Sequence, residues 1–528
     1  MAKAVITLTA FTFIERTLGF LFKIYLSREI GAVELGIYTV AASFFMVLLT
    51  LITSGVPLVV SKTTAKSDAR SGSVCSAALI IEMITAIIIC AAVLIFNKPI
   101  GALFADAQSM TLVLIMLPAL VFSGVYSAFR GVLWGEKRFV TVSVVELIEQ
   151  VARIVTCVVL FQLFKEKSGA VAVSMSVACA VSAAACALFY FLSKHKLKSP
   201  RAELKPLFAS SAPITLSRTT SSVNNYIIAV AIPFLLMSTG LNAEQSMYIF
   251  GSCVGMALPL LYLPITVVGS LAFVMIPTLS KAYAENDRPS MQKQVESALS
   301  FAILIAAVIL PVYAAIGDDI GVFIYDNTDS GVFLMKSAWL LLPLSFENIA
   351  SSMLNSLDLE KKSLINYLIG AVVMYIICFC FYSRFDMDVF MIAFGVSLLV
   401  SSVLDIIDIK RRTGMKLTFI RPLVIGLASA YPAWLFTEYV SSVIPNDIAA
   451  MFVAAIGGAC FTALLLVVFG AVDIEINITT KKSKKKLDST KLRAASPTLK
   501  LDISGAPTKQ KRKKRAVKHA KKMLGRTS

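Results

Sequence analysis

The stretch YSAFRGVLWGEKRFVTVSVVELIEQVAR, which covers Tyr126–Arg153, joins two apolar runs through a short basic turn. In its second run Glu146, Glu149 and Arg153 recur at the spacing of one helical face. Ionisable groups inside a membrane helix face a partner helix or a water-filled cavity. The stretch therefore predicts two membrane helices, of which the second carries a polar face.

The composition places the whole chain in the same class. Of its 528 residues 57% are hydrophobic and 16% are charged, and the mean hydropathy is +0.79. Apolar runs of about twenty residues, the length that crosses a bilayer, recur along the chain. The runs 35–60, 110–129 and 448–472 contain no Asp, Glu, Lys or Arg, unlike the amphipathic helices on the surface of a soluble protein. We expect an all-α polytopic membrane protein.

Fourteen transmembrane helices are predicted. They cover residues 4–27, 35–60, 74–96, 110–133, 140–164, 169–193, 207–237, 246–279, 294–316, 332–356, 363–383, 387–408, 418–438 and 447–472. The eighth is too long for one straight crossing, and Pro259, Pro264 and Pro277 are expected to bend or end it. Lysine and arginine concentrate in alternate loops, which places both termini in the cytoplasm and requires an even number of spans. Twelve spans would satisfy the same rule.

A weak internal repeat divides the spans into two halves. Val56-Pro57 followed by Ser61-Lys62 recurs in the second half as Ile276-Pro277 followed by Ser280-Lys281. Repeated halves with a substrate site between them are common in secondary transporters. The predicted organisation is an N-terminal six-helix lobe at 1–193, a basic cytoplasmic connector at 194–206, a C-terminal six-helix lobe at 207–410, two additional helices at 411–472 and a polybasic tail at 473–528.

The tail carries most of the net charge of +18. Residues 481–528 hold 18 Lys/Arg and 2 Asp/Glu and few apolar residues, which predicts a disordered cytoplasmic segment. Because it follows the last span, we expect it to attract anionic membrane lipids. Contact with RNA or the ribosome through phosphate attraction stays open as an alternative, but no specific nucleic-acid partner is expected.

Polar and ionisable side chains within the predicted spans are the candidate functional residues. Cations in a cavity favour an anionic, phosphate-bearing substrate, because guanidinium offers forked donors to phosphate oxygens. The candidate substrate-binding residues are Arg16, Lys23, Arg218, Asn224 and Asn225. The candidate intramembrane charge pairs or coupling residues are Glu15, Glu82, Glu146, Glu149, Arg153 and Glu347.

Each candidate also has a purely structural interpretation. Glu149 can pair with Arg153 one turn along the same helix, and Asp408 can pair with Arg412. The polar surface of the seventh span can join packed helices without touching a substrate. Arg16 and Arg218 are the better candidates for substrate binding, since each lies in an early helix of its own half.

The chain offers little for catalysis or metal binding. Its two histidines, His195 and His519, lie in basic polar segments, and its nine cysteines have no metal-ligand spacing with a histidine. It contains no nucleotide-binding loop of the Gly-x-x-x-x-Gly-Lys-Ser/Thr type. We therefore expect no enzyme, catalytic residue, metal site or cofactor. Transport would be driven by a coupling ion (H⁺ or Na⁺), the membrane potential or consumption of the product outside.

Several motifs resemble the stage V sporulation protein B group of polysaccharide transporters. They are Arg16-x-Leu18-Gly19-Phe20, Gly31-Ala32-x-x-Leu35-Gly36-x-Tyr38, Ser54-Gly55-Val56-Pro57, Phe129-Arg130-Gly131-Val132 with Gly135, Val145–Arg153 and Gly255–Leu260. That group belongs to the multidrug/oligosaccharidyl-lipid/polysaccharide exporter superfamily, which includes the lipid II flippase. One departure is that Phe139–Val142 contains no proline, where the family block commonly has one.

The resemblance implies two six-helix lobes in a V that flip a lipid-linked saccharide, such as a peptidoglycan or other cell-envelope precursor, by alternating access. The arginines would hold its pyrophosphate while the lipid tail remains in the bilayer. The expected location is the bacterial plasma membrane, and a monomer is favoured. The alternatives are a multidrug or organic-cation antiporter of the same fold and a non-transporting scaffold for envelope assembly.

Overall fold

The computed structural model describes residues 2–67, 70–164, 166–414 and 420–471, and within them it is helical without a β-strand. The α-helices are α1 (Ala2–Thr53), α2 (Val56–Lys66), α3 (Ser71–Ile95), α4 (Asn97–Gly101), α5 (Ala107–Gly135), α6 (Phe139–Leu163), α7 (Lys167–Leu192), α8 (Arg201–Ser238), α9 (Ala243–Phe250), α10 (Leu258–Ala284), α11 (Arg288–Tyr325), α12 (Thr328–Ser337), α13 (Leu341–Ser356), α14 (Glu360–Cys380), α15 (Met387–Thr413), α16 (Ile420–Val443) and α17 (Asp447–Val468). The predicted all-α class is confirmed. The polybasic tail predicted at 473–528, with its lipid contacts, lies outside the described residues.

Twelve helical segments in the described part of the chain are long and apolar enough to cross a membrane. One of them, Phe13–Lys66, has 54 residues, which is roughly twice the length that a bilayer core requires. Helix α6 is not among the twelve, because Glu146, Glu149 and Arg153 lie within its central turns. The polytopic character is confirmed, whereas the number fourteen stays a prediction.

Helix α1 folds back on itself at Gly31. The backbone there has φ 75° and ψ 176°, a conformation that glycine adopts without the steric penalty of a Cβ atom. The bend separates a first limb, residues 2–30, from a second limb, residues 32–53. These limbs correspond to the first two predicted spans, with one non-helical residue between them.

The turns between successive helices gather at two ends of the bundle. We call the end that carries the turn at Glu136–Arg138 and residues 193–200 the connector end. Arg70 donates hydrogen bonds of 2.7 Å to both carboxylate oxygens of Glu203 there. These bonds raise the pKa of the Arg70 guanidinium above its ordinary value. The start of α3 is thereby fixed to the start of α8.

The opposite end carries Gly31, residues 96–106, Phe164, Glu166 and residues 239–242. Lys167 Nζ lies 2.8 Å from Glu29 Oε2 at this end. Gln108 Nε2 donates to Glu34 Oε2 and to Ser168 Oγ, each at 3.0 Å. These contacts join α1, α5 and α7 where the first limb of α1 turns into the second.

Buried apolar side chains form different clusters at the two ends. Near the opposite end one continuous cluster includes residues from both halves of the chain, from Leu35 and Phe45 to Met256 and Leu340. Near the connector end, one cluster lies on α2, α3, α5, α6 and α7 with Leu207 of α8, and a separate one lies on α10, α11, α13 and α15. We call α1–α7 the N-terminal group and α8–α15 the C-terminal group. Apart from α8, whose first turns pack on the N-terminal group, their interiors are shared at the opposite end and separate at the connector end.

The contact between the groups at the opposite end depends on two glycines. A Cβ atom on Gly36 would overlap the carbonyl oxygen of Met247, and one on Gly251 would overlap the carbonyl oxygen of Ala32. Close approach of this kind is a common use of glycine between membrane helices. Arg28 strengthens the contact, because its guanidinium donates to the carbonyls of Phe323 and Ile324 at the C-terminal end of α11.

The long helix of the eighth predicted span is interrupted before its prolines. Residues Gly251–Ala257 form a π-helical segment between α9 and α10. Pro259 stands in the first turn of α10, where its missing N–H cannot complete the preceding turn. Pro264 lies inside α10, which continues to Ala284, so this proline does not end the span, and a bend at it stays a prediction.

Helices α16 and α17 form a pair that packs against α11. A Cβ atom on Gly458 of α17 would overlap the side chain of Thr437 on α16, and Gly426 of α16 faces Ile303 and Ala307 of α11. The pair is therefore attached to the C-terminal group. The predicted lobe boundaries at 193 and 410 stay a prediction.

Candidate functional site

The first limb of α1 carries Arg16 and Lys23 along the N-terminal group. Gly19, midway between them, faces Gln150 of α6 at 3.7 Å from the position of a Cβ atom, and Tyr25 stacks on Phe161 of the same helix. Arg16 is exposed and Lys23 is half-buried. In the described part of the chain neither has a carboxylate oxygen within ion-pair distance.

Arg218 lies on α8, which crosses between the two groups near the connector end. Its side chain is exposed, and Nη1 lies 3.4 Å from the carbonyl oxygen of Ser54 at the end of α1. One turn away on either side, Thr215 approaches Gly55 and Ser222 Oγ lies 2.9 Å from Thr50 Oγ1. Arg218 thus faces the second limb of α1, while Arg16 and Lys23 lie on the first. The described contacts do not bring the three cations together.

The polar face of α6 pairs internally and with α5. Arg153 donates to Glu149 at 2.8 Å, the contact that the spacing of these two residues predicts. Arg130 of α5 lies 3.6 Å from Glu146, and Tyr126 donates to the same carboxylate at 3.2 Å. The face is therefore a set of ion pairs between helices.

Glu15 extends this charge network to α1. It interacts electrostatically with Glu146, Glu149 and Arg153 of α6 and with the neighbouring Arg16. The first limb of α1 thus contributes a half-buried carboxylate to the network and holds Arg16 and Lys23 beside it.

Glu82 of α3 lies deeper than any of these groups. Its relative exposure is 0%, and Ser127 donates a 2.8 Å hydrogen bond to its Oε1. Its Oε2 is buried without a hydrogen-bond partner among the described residues. It interacts electrostatically with Arg130, which is already bound to Glu146.

Asn224 and Asn225 of α8 are engaged by tyrosines of α14. Asn224 Nδ2 donates to Tyr367 at 2.8 Å, and its Oδ1 accepts from Tyr375 at 2.7 Å. Tyr367 in turn donates to Asn225 Oδ1 at 3.3 Å. Asn224 is 6% exposed. Its geometry corresponds to a contact between packed helices, the structural interpretation that the sequence left open for this polar surface.

Glu347 of α13 occupies the corresponding interior of the C-terminal group. It is half-buried and interacts electrostatically with Asp405, Tyr262 and Tyr367. No cation lies within ion-pair distance of it in the described part of the chain. Together with the tyrosines it gives this group a weakly acidic, aromatic interior.

The two aspartates of α15 take partners from α14. Asp408 accepts from Lys362 at 2.8 Å and from Asn366 at 3.2 Å. The same Asn366 amide donates to Asp405 at 2.8 Å. The predicted pairing of Asp408 with Arg412 is wrong. Arg412 instead stacks over the ring of Tyr283, 5.5 Å from its centroid.

Sequence reasoning missed several members of these networks. Asn366, Tyr367 and Tyr375 lie in an apolar span, and their polar groups were a usable signal. Arg130 was not among the candidate residues, although it lies inside α5 between the rings of Tyr126 and Trp134, at 5.2 and 4.7 Å from their centroids. Two aromatic residues at i−4 and i+4 from an arginine were the signal for its burial.

Comparisons with known proteins agree with this architecture. Residues 1–283 match the family described as "Polysaccharide biosynthesis protein". The chain is 22% identical over 391 residues to "Stage V sporulation protein B" of Bacillus subtilis (strain 168), which covers 70% of this chain and 76% of that protein.

Two solved structures show the same fold. "Lipid II flippase MurJ, inward closed conformation" superposes with a TM-score of 0.69 at 16% identity, over 88% of this chain and 98% of that one. An inward-facing multidrug resistance MATE family transporter of the MOP superfamily gives a TM-score of 0.63 at 16% identity, over 78% and 98%. The chain is a multi-pass membrane protein with the fold of these flippases and transporters, and it belongs to the polysaccharide biosynthesis protein family.

Proposed function

We propose that this protein flips a lipid-linked saccharide across the bacterial plasma membrane by alternating access. The observation that carries the proposal is that Arg16, Lys23 and Arg218 stand without carboxylate partners among the described residues. Unpaired cations within membrane helices are expensive and generally serve a substrate or an ion. A pyrophosphate between lipid and sugar would supply the missing negative charge.

The direction of transport follows from the loops. The basic turns of the connector end place that end in the cytoplasm, so both termini are cytoplasmic in this proposal. In the conformation described here the interiors of the two groups are separate at the connector end and joined at the opposite end. A headgroup would therefore enter between the groups from the cytoplasm while its lipid tail remains in the bilayer.

Release requires the opposite end to open. The contacts that would have to break are the close approach of Gly36 and Gly251 to the facing backbone and the hydrogen bonds of Arg28 to the end of α11. These contacts are backbone packing and the hydrogen bonds of one exposed side chain rather than a network of ion pairs. Rocking the two groups apart there would also divide the apolar cluster that they share at this end, while the separate clusters at the connector end remain intact.

Reconstituted flipping tests the proposal. Proteoliposomes of phosphatidylethanolamine and phosphatidylglycerol would receive a chemically defined lipid-linked saccharide, whose headgroup is modified by an impermeant reagent once it is outside. Arg16→Gln, Lys23→Gln and Arg218→Gln should each slow flipping about tenfold or more, the worth of one charge-assisted hydrogen bond.

Arg384→Gln is the matched control, because Arg384 is exposed in the turn between α14 and α15 at the opposite end. It should flip at the rate of the unmodified protein. Unchanged rates in the three cation variants at normal protein levels would contradict the proposed role of these side chains.

A second candidate function is export of an organic cation. Glu347, half-buried without a cation and beside Tyr262 and Tyr367, is the observation that favours it, since carboxylates and aromatic rings bind cations. The same vesicles loaded with a fluorescent organic cation distinguish the two functions. Efflux that Glu347→Gln abolishes and that the three cation variants leave intact would favour this candidate over the first.

A further inference from the structure

The interior of the N-terminal group contains a donor and an acceptor that are both buried and both unused. Glu82 Oε2 and Arg130 Nε each lack a hydrogen-bond partner among the described residues. Glu82 is on α3, and Arg130 is on α5, one turn beyond the Ser127 hydroxyl that binds the other oxygen of Glu82. A buried polar atom without a partner is costly, and a buried charge is more so.

Arg130 is shared between two carboxylates. It lies 3.6 Å from Glu146 Oε1 and interacts electrostatically with Glu82. Its guanidinium is held between the rings of Tyr126 and Trp134. One arginine cannot neutralise two carboxylates, so the three side chains would carry a net negative charge in an apolar interior unless one carboxylate binds a proton.

The other groups that face Glu82 supply no second cation. Cys75 on its own helix interacts electrostatically with Glu82, and Cys186 and Tyr190 of α7 interact with Cys75. Ile52 of α1 and Gly124 of α5 enclose its stem. Where α8 meets α3, nearer the connector end, its Glu203 is bound by Arg70. Charge balance within the described residues therefore depends on Arg130 and Glu146.

We propose that Glu82, Arg130 and Glu146 form a proton-binding triad that holds one proton, carried by Glu82 in the conformation described here. The proton neutralises Glu82, and Arg130 neutralises Glu146. Glu146, whose side chain is 27% exposed, is the member that can exchange a proton with water. The Glu82 proton leaves by transfer to the Glu146 carboxylate, which then gives it up to water. While Glu146 is neutral Arg130 is released from it, and the spare Nε–H of Arg130 binds the spare Oε2 of the ionised Glu82.

This triad would make the proton the coupling ion of the N-terminal group. The role in transport rests on the proposed flipping function, whereas proton binding itself does not. Glu146 also interacts with Glu149 and Glu15, and Glu15 adjoins Arg16 on α1. A change of charge at Glu146 would therefore alter the electrostatic potential near Arg16 and Lys23, the cations of α1 that are proposed to bind the substrate.

The three tryptophans of the chain allow proton binding to be measured without any substrate. In a Trp339→Phe, Trp434→Phe background, Trp134 is the sole reporter, and its ring lies 4.7 Å from the Arg130 guanidinium. Its fluorescence would be titrated in detergent from about pH 5 to about pH 9, the range in which a perturbed buried carboxyl titrates. We expect one reversible transition, which Glu82→Gln abolishes and Glu82→Asp retains.

Glu203→Gln is the matched control, since Glu203 is a buried carboxylate fully paired with Arg70. It should keep the transition. Size-exclusion chromatography identifies the variants that remain folded, and Glu82→Asp keeps the test valid if the neutral variant does not fold. The proposed proton-binding triad would be overturned if the transition persisted in Glu82→Gln or was lost in Glu82→Asp. It would also be overturned if the single-tryptophan protein showed no transition.

Flipping in the same vesicles with and without a pH gradient then tests coupling. A difference of about one pH unit alters the proton ratio tenfold and should change the flipping rate severalfold in the unmodified protein but not in Glu82→Gln. A flipping rate that is the same with and without the pH gradient would contradict proton coupling but not the flipping function. A Trp134 transition without flipping of any lipid-linked saccharide overturns the proposed function and leaves the proton site intact.

Discussion

The two helix groups accommodate buried polar side chains in different ways. In the N-terminal group the polar interior consists of charges, with Arg130 bound to Glu146 and Arg153 bound to Glu149. In the C-terminal group the principal contact to α8 is neutral, with Asn224 held by the hydroxyls of Tyr367 and Tyr375. Its buried and half-buried carboxylates include Asp405 and Asp408, near the connector end, and Glu347.

The difference shows which group can change its state. A neutral network of amide and hydroxyl groups is satisfied over a wide range of pH, so it fixes the position of α8 on α14. A network with more carboxylates than cations is balanced only when a proton is bound, as the buried Glu82 illustrates. The charged network of α3, α5 and α6 is thus suited to switching, and the neutral contact of α8 with α14 to support.

The largest expected effect comes from removing the arginine of the charged interior. Arg130→Ala would leave Glu146 without its cation and should lower the free energy of unfolding by about 3–5 kcal/mol, the usual result of breaking a buried ion pair. The thermal unfolding midpoint in detergent measures it. Adding Glu146→Gln to Arg130→Ala should recover part of the loss, because it removes the carboxylate that has lost its cation. A double variant no more stable than Arg130→Ala would show that Glu146 does not depend on this arginine.

The next effect concerns the contact that joins the two groups. Gly251→Ala would place a methyl group against the carbonyl of Ala32 and should cost about 1–3 kcal/mol through overpacking. Because the strain lies between the groups, we expect the opposite end to open, which distance measurements between labels on α1 and α9 would record. Gly169→Ala is the control, since a Cβ there meets no atom within 4 Å. An unchanged distance would mean that the facing helices adjust locally.

A smaller effect is expected in the neutral network. Asn224→Ala removes two hydrogen bonds to tyrosines and should destabilise the protein by about 1–2 kcal/mol. Asn225→Ala, which removes one longer bond of 3.3 Å, is the matched comparison and should cost less. The loss of unfolding midpoint that each variant shows relative to the unmodified protein should be insensitive to pH between about 5 and 8, because neutral amides and phenols do not titrate there. If that loss depended strongly on pH, the contrast between a charged and a neutral network would not hold.

The smallest effect is expected at the connector end. Arg70→Gln breaks the pair with Glu203, but the arginine side chain is 53% exposed, so the loss should be about 0–1 kcal/mol. In the Arg70→Gln variant, added salt should raise the thermal unfolding midpoint little or not at all. A loss comparable to that of Arg130→Ala would mean that burial does not determine the strength of these pairs.

Local patterns were enough for part of the site. The spacing of Glu149 and Arg153 predicts their contact, since residues four apart are neighbours on a helix. The same reasoning was wrong for Asp408 and Arg412, because Lys362 and Asn366 of α14 compete for the aspartate. The rule that residues four apart are neighbours considers one helix only, whereas a buried side chain can bind residues of every helix that packs around it.

The sequence by itself determined the all-α membrane class and the basic turn at Glu136–Arg138, because hydropathy and charge act over a few residues of chain. It also placed Glu146, Glu149 and Arg153 on one face of α6. Only the tertiary structure decided which of their charges are balanced. Arg130 and Glu82 come together from helices 48 positions apart in the numbering of the chain, and such a distance is set by packing rather than by local periodicity. The stretch Tyr126–Arg153 therefore predicts a helix with a polar face, and the packing of α3 and α5 determines which charges on that face are paired.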